Sequence, residues 1–163
     1  MNQSVTRRSA MAVTLALAIG SIGTASVAAP GHLEHTATIA ALQLNAGKQW
    51  TTDTHLRNGM SRIRDAVFAE LDAIHLRTMD AGRYEALARR IDGQIAYIIE
   101  NCRLSPQADA QLHLVLTQIM QGSVAMQGRD PNYARRSGLE GVVSALEAYS
   151  RHFDHPGWKA LAI

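Results

Sequence analysis

Apolar side chains recur at steps of three and four residues through four successive segments of this chain, a period that favours helices packed on one another. The first stripe is Leu56, Met60, Ile63, Val67, Leu71 and Ile74. The second is Tyr84, Leu87, Ile91, Ile95, Ile98 and Cys102. The third is Leu112, Leu116, Ile119 and Met126, with Asp109 at its start and His113, Met120 and Val124 on the adjoining row. Leu139, Val142, Leu146, Tyr149 and Phe153 make the fourth. No stretch alternates with period two for long enough to predict a strand.

Punctuation fits the same reading. Asp53 or Thr54 can cap the first helix and Thr78 or Asp80 the second. Ser105–Pro106 starts the third: serine caps, and proline suits the first helical position because its missing N–H has no partner to lose there. Gly128 is a natural stop. Asp130–Pro131 repeats the cap-then-proline pattern, while Gly138 and Gly141 delay the regular part of the fourth helix to about Ser137. Pro156–Gly157 ends it, and Trp158 is expected to fold back over the bundle. The expectation is an all-α protein: an up-down-up-down four-helix bundle over residues 53–158, a segment 29–52 holding a short helix near Ala37–Leu44, and a tail 159–163.

Met1 to Ala28 reads as a cleaved signal peptide. Arg7 and Arg8 form its charged start, Ala10–Ala25 its apolar run, and Ser26–Val27–Ala28 its small-residue cleavage site. The run is too short and too rich in Gly, Ser and Thr for a membrane span, which needs ~20 apolar residues. Export through the Sec route to the periplasm follows; Ala10 stands where a twin-arginine signal prefers phenylalanine. The net charge of +2 arises from 16 basic and 14 acidic residues, and the signal removes Arg7 and Arg8. The remainder is balanced, which gives no reason to expect nucleic acid or an anionic membrane as partner. No membrane span is expected in the mature chain. About 135 residues suffice for one domain with a core. Cys102 is the only cysteine, so it can form no internal disulfide.

In an up-down bundle the start of the first helix, the end of the second, the start of the third and the end of the fourth share one pole. That pole collects His55, Met60, Cys102, Asp109, His113, Tyr149, His152 and His155, with His75 at the opposite one. The helical rise places Met60 and His113 each about 9–10 Å in from the pole, on diagonal helices. They are therefore expected to face each other through the core, with Cys102 as a third ligand and His152 and His155 within reach. Asp109, four residues before His113, would orient its ring from outside the ligand shell. Thioether, thiol and imidazole together suit a soft metal ion, copper above all. Methionine with histidine is also an axial pair for haem iron. His32–Leu33–Glu34–His35 reads as a solvated tail. No phosphate-binding glycine loop and no HExxH occur, so a binding protein is expected rather than an enzyme, with a structural or interaction module that holds no cofactor as a further alternative.

Four stretches carry a resemblance: Gly47 to Asp53, Leu56 to Met60, Asn101 to His113, and Tyr149 to Trp158. On them the chain resembles a group of small secreted proteobacterial four-helix-bundle proteins described as DnrO-like, which implies a periplasmic protein and leaves its activity open. In size, compartment and helix pattern it more distantly resembles the c-prime-type and periplasmic b-type cytochromes. There Met60 matches the methionine ligand position of the b-type protein, which implies a haem b alternative to copper. No CxxCH is present, so the covalent c-type attachment is absent from that likeness.

Overall fold

The computed structural model describes residues 39–161. The expected signal peptide and the His32–His35 stretch lie outside them. Within them the chain is predominantly helical, with helices α1 (Thr54–Phe68), α2 (Leu71–His75), α3 (Ala81–Asn101), α4 (Pro106–Met126) and α5 (Arg135–His152). Strands β1 (Trp50–Thr51) and β2 (Phe153–Asp154) form one short parallel pair, with Trp50 opposite Phe153 and Thr51 opposite Asp154. The pairing corrects the expectation of no strand. Two residues are too few to show a period.

The caps explain where the helices begin. Asp53 Oδ1 accepts the Leu56 amide at 2.7 Å and starts α1. Its other oxygen accepts the Arg103 amide, just past the end of α3, at 2.6 Å. One carboxylate thus fastens the opening of one helix to the close of another. Burial works against its charge, but those two amides, the Cys102 thiol and His55 together hold the Asp53 carboxyl below its usual pKa. Asp80 caps α3 through the Arg83 amide at 2.8 Å, and Ser105 caps α4 with Pro106 in the first turn. Asp130–Pro131 does not start a helix. Asp130 instead closes a local turn onto the Asn132 amide, and α5 begins at Arg135 with no side-chain cap.

Two helices end alike. After α4, Arg129 N bonds Val124 O and Gly128 N bonds Ala125 O, with Gly128 at φ +70°. After α2, Thr78 N bonds Ala73 O and Arg77 N bonds Ile74 O, with Arg77 at φ +55°. This helix stop wants a left-handed residue, normally glycine. The first fits that preference and the second does not.

The first stripe does not form a single helix. α1 stops at Phe68, the chain tightens where Glu70 N bonds Val67 O, and α2 follows as five separate residues. Glu70 at the break pairs with Arg83 at 2.7 Å, tying the end of α1 to the start of α3. His55 meets Tyr97 at 2.8 Å at the other end, so α1 and α3 run antiparallel. Ser123 of α4 and Gln127 just past its end both donate to Asp92 of α3. α4 packs most extensively on α5, α1 on α3, and α3 on α4, whereas α1 touches α5 only thinly.

The α4–α5 contact brings backbone against backbone. A Cβ on Gly138 would lie 2.5 Å from Gly122 O and 2.7 Å from the Ala125 Cβ, and one on Gly122 would lie 2.5 Å from Gly138 O. The bare backbones therefore touch. This draws Val115, Gln118, Gly122 and Ala125 inward as the buried side of α4, beside Leu112, Ile119 and Met126. Met120 and Val124, read as neighbours of the apolar row, are exposed instead. The remaining core includes Leu56, Met60, Ile63, Leu87, Ile91, Ile98, Leu146, Tyr149 and Phe153.

Two glycine replacements should therefore move stability in opposite directions. Gly138→Ala gains helix propensity of about 1 kcal/mol but overpacks rigid backbone at a cost of about 1–3 kcal/mol, so urea unfolding should show net loss. Gly93 in α3 has open space around its Cβ position, and Gly93→Ala should stabilise by about 0.5–1 kcal/mol in the same assay.

Candidate functional site

The residues read as metal ligands do not converge. Met60 is fully buried in the core. The His113 side chain is 70% exposed, on the side of α4 turned away from Gly122 and Gly138. The expected face-to-face arrangement is therefore corrected: the glycine contact chose which side of α4 goes inward, and His113 lies on the other. Its ring meets Asp109 O at 2.9 Å and the Asp109 carboxylate at 3.4 Å, so the pairing of these two is local to one surface turn.

Cys102 caps the end of α3, half-buried. Burial, reinforced by Asp53, pushes its thiol pKa up to about 12, which keeps it protonated and a poor nucleophile or ligand. His152 is engaged with Ala148 O at 2.7 Å. Among the described residues no group of three His, Cys, Asp or Glu side chains is placed to hold a metal ion.

The same pole does contain a built polar cluster, centred on His155. Tyr149 Oη lies 2.9 Å from His155 Nδ1, and Ser61 Oγ lies 3.2 Å from Nε2. Trp158 stands edge-on to Tyr149 at 5.1 Å and 4.9 Å from the His155 ring, folded back as expected. Tyr149 is buried and has no other hydrogen-bond partner among the described residues, so the His155 ring satisfies its hydroxyl. With Ser61 at the other ring nitrogen, the imidazole fastens the segment after α5 to α1. Burial first, then the nearby Arg57 and Arg64 guanidinium groups, lower the His155 pKa against the opposing pull of Asp154. Burial raises the Tyr149 pKa.

A larger concave feature than any at this pole lies elsewhere among the described residues, towards the end of the molecule where α1 gives way to α2. Because α1 and α5 touch thinly, α2 and the loop after it form one wall of a cavity and α5 the other. Its volume is about 400 Å³. Ala73, Ile74, Met79, Tyr84, Leu139 and Val143 give it an apolar lining. Arg77, Arg136, Glu140, Ser144 and Glu147 add polar groups. Arg136, Glu140, Val143, Ser144 and Glu147 follow the helical period and so share one face of α5. Tyr84 and Leu139 were visible as stripe residues. Ile74 was read as part of the first helix, and the role of Arg77 had no signal, since nothing in an arginine announces a left-handed backbone.

Compared with known protein families, curated proteins and solved structures, the chain has no significant match.

Two outcomes follow for stability. The His155 pKa is lowered on folding, so its contribution is fully present above the unfolded value of about 6.5 and is lost as pH falls towards the folded one. The urea midpoint should drop between pH 7.5 and 5, and His155→Gln should flatten that drop relative to the parent chain. Met60→Leu conserves volume and should cost less than about 1.5 kcal/mol, while exposed His113→Ala should stay within about 0.5 kcal/mol, both by urea unfolding.

Proposed function

We propose that this chain is an exported small-molecule binding protein, an up-down-up-down four-helix bundle whose ligand is a largely apolar molecule held in the cavity between α2 and α5. The observation that carries the reading is that cavity. Its volume of about 400 Å³ falls in the range of pockets that enclose small ligands, about 300–1,000 Å³, and an apolar lining with a few polar groups is the usual pattern of such sites. Antiparallel contacts between successive long helices support the bundle, and the charged-then-apolar start of the sequence supports export to the periplasm. Binding suits the side chains better than catalysis. The Cys102 thiol is held protonated, and both ring nitrogens of His155 are engaged, one by Tyr149 and one by Ser61.

The neutral apolar fluorophore N-phenylnaphthylamine should brighten on mixing with the folded protein. Val143→Trp, which fills the cavity from α5, should remove that response while leaving the helical circular dichroism intact. A signal unchanged in Val143→Trp would place the dye elsewhere and refute the assignment.

A further inference from the structure

The cavity contains one residue whose backbone is held at a cost. Arg77 sits at φ +55°, in the left-handed region that side chains with a Cβ disfavour. The hydrogen bonds around it repeat those around Gly128, residue for residue, at the end of α4. There the chain uses glycine, which takes this backbone without strain. At the end of α2 it keeps an arginine instead, and that arginine lines the cavity.

The charges around it are unequal in what they already hold. Arg136 is bound to Glu140, Nε to Oε1 at 2.8 Å. Glu147 lies 3.8 Å from Arg151. Arg77 makes no ion pair or side-chain hydrogen bond among the described residues. Among the described residues it therefore offers a guanidinium with its donors uncommitted, beside the apolar lining made by Ala73, Ile74, Met79, Tyr84, Leu139 and Val143. An uncommitted guanidinium fork matches a carboxylate in geometry and charge. The apolar lining beside it matches a hydrocarbon chain.

Resting on the cavity reading above, we propose that the ligand is an amphiphilic carboxylate, its anionic head on Arg77 and its hydrocarbon portion against the apolar lining between Ile74, Met79 and Tyr84 on one side and Leu139 and Val143 on the other. Backbone strain at Arg77 is retained because glycine, the unstrained choice, has no head-group donor to offer.

Arg77→Gly separates this role from a structural one, because it relieves the backbone while removing the guanidinium. Decanoate and decanol, which share a chain length and differ in the head, would each be titrated against protein-bound N-phenylnaphthylamine at neutral pH. The parent chain should prefer decanoate by about tenfold, the scale of one charge-assisted pairing. Arg77→Gly should bind the two about equally, still bind the dye, and melt at the same temperature as the parent or higher. Equal displacement by decanoate and decanol in the parent, or a decanoate preference surviving in Arg77→Gly, would overturn the head-group assignment while leaving the cavity reading standing. Failure of the dye to bind the parent at all would remove both.

Discussion

The contact between the backbones of Gly122 and Gly138 fixes more of this molecule than any side chain does. Two helices can approach so closely only where neither presents a Cβ. Once α4 and α5 meet there, the buried side of α4 must include Val115, Gln118 and Ala125, and its opposite side must face out. Contact between α5 and α1 is correspondingly thin, and α2 borders the space between them. The exposed His113 and the cavity are both consistent with this one close crossing.

The helical class of the chain was legible because propensity, period and caps all pointed the same way. Ser105–Pro106, Asp80 and Asp53 mark three helix starts as their chemistry predicts, and Gly128 marks a stop. Two things were not legible. A stripe defined by large apolar residues overlooks small ones, so Gly122 and Ala125 did not register as interface and Gly138 read only as a delay in helix formation. The break between α1 and α2 involves Glu70 meeting Arg83, thirteen residues on, and no local residue signals it. The site was misjudged for the first reason. Sharing a pole and a height does not make two residues share a face, and Met60 and His113 are separated by the direction in which α4 is turned.

What the pole does gather is a set of groups that restrain one another. Asp53 ties α1 to the end of α3 and receives the Cys102 thiol. His155 ties the segment after α5 to α1 through Ser61 and to α5 through Tyr149. The polar atoms at this end are largely spent on each other, whereas at the cavity end Arg77 has no side-chain partner among the described residues. In the proposed reading, that contrast separates an end that holds the chain together from the end that receives the ligand.

The short β1–β2 pair lies beside the Thr52 hydroxyl, which donates to Asp154 O across 102 residues of sequence. Such a remote bond gains little until the intervening helices have already brought its ends together. It therefore serves as a clasp on helices that are already packed. The stretch entering the first long helix and the stretch leaving the last are neighbours in space, so the polypeptide could be rejoined there and opened at the exposed turn around Asn132 with its helical pairs preserved.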